Sequence, residues 1–273
     1  GGAACKIVDQ YARYPEYDLL KIDSDPRSVE SNLVPFHLID KQNNPEDYEK
    51  NVPDLGLLLQ NTRKEVCFIV AGSGHISGAS LRILSQIRDR NITVIYIRPE
   101  TELLNRTSYL QERLTFNVFQ EYTRSGLFRK LLLISNSSIE QLLGDIPAVG
   151  YYETINRCLV DTIHSLNYFI HSKALLEQTG DASAASRIGT VGVYDIKNDS
   201  EKLFYPMVAP DDKNYYFIIP QQKLENDGTL FKTIRNRIKE KTSEDTKCGY
   251  SIYSSTDDKE FCYVDAHTSE IQK

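Results

Sequence analysis

The residues best suited to chemistry are three glycines, Gly72, Gly74 and Gly78, which follow an apolar run at 66–70. The run indicates a buried strand, because a parallel strand covered on both faces lacks alternation. Helical spacing of apolar residues at 81–87 and a second apolar run at 93–97 complete a βαβ unit. Backbone N–H groups in such a loop, together with the positive end of the helix, form an anion site. Glycine lacks a side chain and therefore lets phosphate approach the backbone closely. The alternative is a tight turn without a ligand.

Two carboxylates, Asp23 and Asp25, follow a short apolar run at 17–22. Carboxylates just past the end of a strand can hold Mg²⁺ through water or contact a ribose. The same residue types form Asx turns and helix caps, and residue type alone favours that structural interpretation.

Composition restricts the class of protein. The chain has 273 residues, of which 40% are hydrophobic and 26% charged, as in an ordinary globular protein with a sizeable core. Its net charge of −6 argues against a general nucleic-acid binder. No apolar run approaches the ~20 residues of a membrane span, and no signal peptide is evident. The five cysteines have no metal-ligand spacing. We therefore expect a cytoplasmic protein that binds neither nucleic acid nor membrane.

The order of patterns predicts the domain organisation. Strand and helix patterns alternate up to about residue 150, which is typical of an α/β domain. Apolar residues then recur at helical spacing over 151–176, and short β-rich runs with one amphipathic helix follow in an α+β pattern. We predict a parallel-sheet domain at 1–150, a central helix and linking loop at 151–186, and an α+β domain at 187–273.

In this order of elements the chain resembles the tubulin/FtsZ superfamily, which has a Rossmann-like nucleotide-binding domain, a long central helix and a smaller α+β C-terminal domain. The likeness covers most of the chain and is strongest over 17–172. Residues 1–4, Gly-Gly-Ala-Ala, resemble the remainder of the family's first glycine turn, whose preceding strand would then be missing here. Residues 22–25, Ile-Asp-Ser-Asp, resemble the Ile-Asn-Thr-Asp strand end of FtsZ, and residues 71–78 stand where the family has Gly-Gly-Gly-Thr-Gly-Thr-Gly.

The resemblance implies a site for GTP or GDP with Mg²⁺. Arg98-Pro99 matches the Lys/Arg-Pro that follows the family's next strand, and Tyr152 and Asn156 have the spacing of its base-stacking aromatic and base-reading amide. Residues four apart share a helix face, so this pair can act together. The implied phosphate and Mg²⁺ contacts are Gly1, Gly2, Asp23, Asp25, Gly72, Ser73, Gly74, Ser77 and Gly78. The implied sugar contacts are Glu102, Arg106 and Asn136.

The chain also departs from the family's pattern. Its signature loop is shorter, and His75 and Ile76 stand where the family has bare backbone, so their side chains would crowd a ligand if φ were positive. The Asn-x-Asp-x-x-Asp pattern, which polarises water in the next subunit of the family's filaments, is absent. Glu177 and Asp181 are the acids near that position, and they are the candidate catalytic residues despite their different spacing.

Three functions follow. The first is a tubulin/FtsZ-like protein that binds guanine nucleotide and assembles head to tail, with weak or lost GTP hydrolysis. Its own copies would be its partners, a further protein could bind the C-terminal domain, and abbreviated loops resemble those of phage, plasmid and other mobile-element relatives. The second is a structural or interaction protein that keeps the fold without nucleotide turnover. The third, a Rossmann-type enzyme using another nucleotide, is weakened by the absence of GxGxxG.

Overall fold

The computed structural model describes residues 1–28, 34–60, 62–180 and 182–273. Contacts between residues divide the chain into two compact units, Gly1–Val160 and Asp161–Lys273. This boundary falls inside the central helix, whereas the sequence predicted a division at 150 and another at 186. The three-part division remains a prediction.

The first unit alternates helices and strands, as the sequence predicted. Its elements are α1 (Gly2–Tyr11), β1 (Lys21–Asp23), β2 (Phe36–Leu38), α2 (Pro45–Lys50), α3 (Gly56–Leu59), β3 (Glu65–Ala71), α4 (Ser80–Ser85), β4 (Asn91–Arg98), α5 (Arg106–Arg124), β5 (Lys130–Ser135) and α6 (Asn136–Leu143). Strands β3, β4 and β5 form a parallel ladder, and β1 pairs with β2 in a separate two-stranded parallel sheet.

Strand β3 is less buried than the apolar run predicted. Glu65 and Cys67 are exposed, and Val70 is the one fully buried residue of the strand. Among the described strands of this unit, β3 pairs only with β4, so one of its edges has no strand neighbour. An apolar run therefore marked the strand correctly but did not indicate its place at an edge.

Helix α5 packs on β4 through an aromatic and ionic core. Asn105 caps the helix by accepting a hydrogen bond from the Ser108 amide at 2.9 Å. Phe116 lies against Tyr96 of β4, and the Arg98 guanidinium sits 4.2 Å from the centre of the Phe116 ring. Arg98 also donates to the buried Glu112 carboxylate at 3.3 Å, and burial raises the pKa of Glu112 despite this cation. These contacts fix α5 on the sheet.

The central helix α7 spans Tyr151–Ile170 and crosses from the first unit into the second. Ile155, Leu159 and Leu166 of the predicted apolar stripe are buried. The helix ends before the predicted residue 176. Beyond its end the backbone bonds to a strand of the second unit instead of continuing the helix: the Leu175 amide donates to the Ile252 carbonyl at 2.8 Å. No helix within the described ranges is long and apolar enough to cross a membrane.

The second unit is α+β. Its elements are β6 (Ile188–Asp195), β7 (Ser200–Leu203), β8 (Asp212–Pro220), α8 (Gln221–Asn226), α9 (Leu230–Lys241), β9 (Lys247–Ser255) and β10 (Phe261–Thr268). The strands lie in the order β7, β6, β10, β8, β9, antiparallel except for β8 and β9, which α8 and α9 connect. Leu230, Ile234 and Ile238 of α9 pack on Tyr215 and Phe217 of β8.

Asp199, in the turn between β6 and β7, ties α9 to the sheet. It accepts from the Tyr194 hydroxyl at 2.8 Å and forms ion pairs with Arg237 at 2.6 Å and Lys241 at 2.8 Å. These donors, Lys241 foremost, lower the pKa of Asp199 to about 2. The residue has a φ of 49°, a left-handed conformation that Asp and Asn tolerate better than most side chains.

Asp199→Asn should reduce the free energy of unfolding by about 1 kcal/mol at pH 7, because the amide keeps the shape and the tolerated φ but loses both ion pairs. The native pKa of about 2 lies below the ordinary value of 3.8 for an aspartate, so the carboxylate contributes its full stabilisation above pH 3.8. The difference from the wild type should therefore shrink as the pH falls from 3.8 towards 2. Urea unfolding at several pH values measures it.

Asp258→Asn, in an exposed turn of the same unit, serves as the control and should leave stability unchanged. A deficit of Asp199→Asn that stays constant down to pH 2 would show that the ion pairs do not contribute.

Candidate nucleotide site

The candidate site lies at one edge of the first unit. Because β3, β4 and β5 are parallel, the loops that follow Ala71, Arg98 and Ser135 leave the sheet at the same carboxyl edge, where α/β proteins bind their ligands. Helix α6 begins directly after β5, and the Tyr151 hydroxyl at the start of α7 donates to its Glu140 carboxylate at 2.8 Å. Burial and this carboxylate raise the pKa of Tyr151 to about 12, which keeps the donor protonated.

The start of α1 meets the same edge. The Gly1 ammonium donates to the Ile22 carbonyl at 3.0 Å, and a Cβ at Gly1 would lie 2.8 Å from Ile76 Cγ2. A Cβ at Gly2 would lie 3.4 Å from the Ser28 hydroxyl and 3.8 Å from the Asp23 carboxylate. The first turn of α1, the end of β1 and the glycine loop at 72–78 thus come together around Gly1.

No residue of the glycine loop has a positive φ, so backbone conformation is not the reason for its glycines. The reason at two of the positions is close packing. A Cβ at Gly72 would lie 2.0 Å from the Tyr96 hydroxyl, and one at Gly78 would lie 2.2 Å from the Pro45 carbonyl oxygen. At Gly74 the nearest atom would be Ile76 Cγ2 at 3.9 Å, so the space beside this residue is open. Two glycines therefore serve the fold, and Gly74 is the one whose missing side chain leaves room for a ligand.

Helix α5 holds the glycine loop. The Gln111 amide donates to the Gly74 carbonyl at 3.0 Å and to the Ser77 hydroxyl at 3.2 Å. Ser77 is buried, and its hydroxyl lies 3.5 Å from the Gly72 carbonyl. Ser77, which the resemblance assigned to phosphate, thus bonds within the loop. Gln111 was not singled out from the sequence, because no local pattern distinguishes it from other polar residues of an amphipathic helix.

The two predicted acidic residues already have protein partners. Asp23 is buried and accepts from the Ser24 amide at 2.7 Å and from the Ser28 hydroxyl at 2.5 Å. Arg27 binds both oxygens of Asp25, at 2.7 Å to Oδ2 and 3.0 Å to Oδ1, and lowers the pKa of Asp25 to about 2. These are the turn and cap interactions weighed as the alternative. Within the described ranges, no cluster of three His, Cys, Asp or Glu side chains could hold a metal ion.

The residues predicted for sugar and base lie around the same edge. Glu102 and Arg106 are exposed just after β4, Ser73 lies in the glycine loop, and Asn136 is the first residue of α6. On α7, Tyr152 is 63% exposed and Asn156, one turn later, is buried at 8%. The start of α7 thus presents an exposed aromatic side chain, whose ring lies edge to face with that of Tyr151 at 5.2 Å.

Of the two candidate catalytic acids, the structure describes Glu177 only. Glu177 is exposed in the second unit and has a φ of 55°. The chain around it runs along β9, where the Thr179 amide donates to the Ser251 hydroxyl at 2.8 Å. Asp181 lies outside the described residues. The catalytic role of both acids remains a prediction.

No protein-family model matches the sequence, and no curated protein is significantly similar to it. Solved structures are similar in fold. CetZ from Methanosaeta thermophila strain DSM 6194 aligns with a TM-score of 0.74 at 14% identity, over 99% of this chain and 85% of that one. A GTPγS-form protofilament of Bacillus thuringiensis serovar israelensis TubZ aligns with a TM-score of 0.76 at 15% identity, over 98% and 84%.

An empty FtsZ dimer from M. jannaschii aligns with a TM-score of 0.70 at 10% identity, over 99% of this chain and 86% of that one. These alignments span both units of the chain, and they agree with the fold that the order of motifs suggested. The chain has the fold of the tubulin/FtsZ superfamily.

Proposed function

We propose that the chain binds a guanine nucleotide at the carboxyl edge of its first unit and assembles head to tail into filaments. The observation that carries this proposal is the meeting of the first turn of α1, the end of β1 and the glycine loop around Gly1. Two of these segments are the starts of helices, α1 at Gly2 and the 3-10 helix at His75. Backbone N–H groups at helix starts favour an anionic ligand.

The nucleotide's three parts have separate contacts in this proposal. The phosphates bind the loop at 72–74 and the first turn of α1, where Gly74 leaves space. The ribose contacts Glu102, Arg106 and Asn136. The exposed Tyr152 ring stacks on the base, and the Asn156 amide, which both donates and accepts, reads its edge.

Mg²⁺ would accompany the nucleotide on its phosphates in this proposal. Both oxygens of Asp25 are bound by Arg27, and both oxygens of Asp23 accept hydrogen bonds from neighbouring residues. A direct Asp25 ligand would therefore require Arg27 to move away. Asp23 is better suited to shaping the turn beside the phosphates than to holding the ion.

Hydrolysis should be slow or lost. Phosphoryl transfer to water needs a group that positions the water in line with the leaving phosphate. Glu177 and Asp181 are the acids near the position where the family carries such a group, and neither has its spacing. Binding and turnover are therefore separate parts of the proposal, and the first does not require the second.

Self-assembly is proposed from the similar structures. TubZ from Bacillus thuringiensis has been solved as protofilaments and as two-stranded filaments. A head-to-tail contact joins two different surfaces of identical copies, so it repeats without closing and produces a filament. We further propose a cytoplasmic protein of phage, plasmid or other mobile-element origin, with room for a partner protein on the second unit.

A second candidate is a structural protein that keeps the fold without nucleotide. It is favoured by two observations: the Ile76 side chain occupies the space beside Gly1, and Asp25 is neutralised by Arg27. Both reduce the room and the free charge that a phosphate–Mg²⁺ group would use. The first candidate predicts that substitutions at the site change the affinity for GTP, and the second predicts that GTP does not bind.

Tyr152→Ala should weaken GTP binding roughly tenfold or more, because stacking of a base on an aromatic ring contributes about 1–3 kcal/mol. Calorimetric titration of the purified protein with GTP and Mg²⁺ measures the change. Tyr168→Ala is the matched control, since Tyr168 lies on the same helix and is 60% exposed against 63% for Tyr152. If Tyr152→Ala and Tyr168→Ala bind GTP with equal affinity, Tyr152 does not stack on the base.

Gly74→Ala should leave the unliganded fold nearly unchanged and weaken GTP binding roughly tenfold or more, because its methyl group has space in the protein but would meet the phosphates. Gly72→Ala should instead lower the free energy of unfolding by about 3 kcal/mol, because its Cβ would overlap the Tyr96 hydroxyl. Thermal unfolding and GTP titration of both variants separate the two effects. If Gly74→Ala binds GTP as the wild type does, the loop does not hold phosphate.

A further inference from the structure

A buried carboxylate of α5 lies near the glycine loop and lacks a full set of hydrogen bonds. Glu112 is 1% exposed, and its Oε1 accepts from Arg98 Nε at 3.3 Å and from the Tyr96 hydroxyl at 3.4 Å. Its second oxygen, Oε2, is also buried and receives no hydrogen bond from the described residues. A carboxylate oxygen that is removed from water without a donor disfavours the charged form of the group. The surroundings of Glu112 therefore favour a carboxyl group that carries a proton.

One hydroxyl group separates this carboxylate from the backbone of the glycine loop. The Tyr96 hydroxyl, which donates to Glu112, is the atom that a Cβ at Gly72 would meet at 2.0 Å. Gln111, the residue before Glu112, bonds the loop further along, at the Gly74 carbonyl. The charge of Glu112 thus lies close to the backbone that holds phosphate in the proposed function, and a carboxylate repels a phosphate at such short range.

The charged and titratable neighbours of Glu112 come from β4 and from the loop. Among the described residues, Arg98 and Tyr96 of β4 contact its carboxylate, and the glycine loop carries one titratable side chain, His75, which is exposed. Burial raises the pKa of Glu112 above its ordinary value, and Arg98 and Tyr96 offset this only in part. The Phe116 ring also holds the Arg98 guanidinium, at 4.2 Å from the ring centre. Protonation of Glu112 therefore removes a negative charge and leaves this cation in place.

We propose that Glu112 makes anion binding at the glycine loop depend on pH: the loop binds phosphate groups more weakly while Glu112 is ionised and more tightly once it is protonated. This inference rests on the proposed function, because it assigns a regulation to the same site. Glu112 does not touch the ligand. It acts through its charge and through the Tyr96 hydroxyl, which lies between its carboxylate and the loop.

The test compares the affinity of the wild type and of Glu112→Gln for GTP with Mg²⁺, by calorimetric titration from about pH 8 to about pH 5. Glutamine keeps the shape of the side chain and an acceptor oxygen but cannot ionise. At the highest pH, Glu112→Gln should bind GTP more tightly than the wild type, roughly threefold or more, because one repelling charge is gone. This ratio should fall towards one as the pH decreases and the wild-type carboxylate takes up its proton. Protonation of GTP or of His75 occurs with both proteins and cancels in the ratio.

Glu121→Gln is the matched control, since it removes the same charge from the last turn of the same helix, at an exposed side chain. It should bind GTP as the wild type does at every pH. Urea unfolding without nucleotide is an independent measurement. Because the pKa of Glu112 is raised above 4.5 in the folded protein, the wild type should lose stability relative to Glu112→Gln as the pH rises from 4.5.

The possible failures can be told apart. If both proteins bind GTP and the ratio of their affinities does not change with pH, Glu112 does not control the loop, and the nucleotide site itself stands. An equal pH dependence of unfolding in the two proteins would show that Glu112 does not titrate in this range, which also overturns its role. If neither protein binds GTP at any pH, the proposed function fails and the coupling fails with it.

Discussion

The position of the glycine loop depends on one close contact, between Gly72 and the phenol of Tyr96. Tyr96 is fully buried on β4 and packs on two phenylalanines of α5, so its hydroxyl is fixed by the core of the unit. Only a residue without a Cβ lets the chain pass over that hydroxyl. The loop is therefore held to the sheet by the same aromatic core that holds α5, and Gln111 of α5 bonds its other end.

This arrangement has consequences for what the site can do. Because the loop is already ordered by its contacts with the sheet and α5, its backbone N–H groups lose little conformational entropy when a ligand binds. Pre-organised donors of this kind favour binding of a charged group. The acids around it, by contrast, are already occupied: Asp25 by Arg27, and Asp23 by its own turn. The site is thus better equipped to hold a polyanion than to activate water, which agrees with proposing binding and slow turnover as separate properties.

Local patterns predicted the elements and the fold, because periodicity of apolar residues is set by the same burial that forms helices and strands. The βαβ unit, the central helix and the α+β texture of the second unit all followed from it. Long-range contacts could not be predicted in this way. Nothing near Gly72 in sequence indicates that Tyr96, a strand away, requires a glycine there, and nothing near Gln111 indicates that it bonds the loop. The exposed side of β3 and the early end of α7 likewise depend on which neighbour each segment pairs with.

We propose that the edge of the sheet around Gly1 binds a guanine nucleotide. The most direct measurement is thermal unfolding of the full chain with Mg²⁺ and, in turn, GTP, GDP, ATP or no nucleotide. A ligand that binds only the folded state raises its melting temperature. We expect a rise in the melting temperature with GTP and GDP and none with ATP. No rise with any nucleotide, or an equal rise with ATP, would contradict the proposed guanine-nucleotide site.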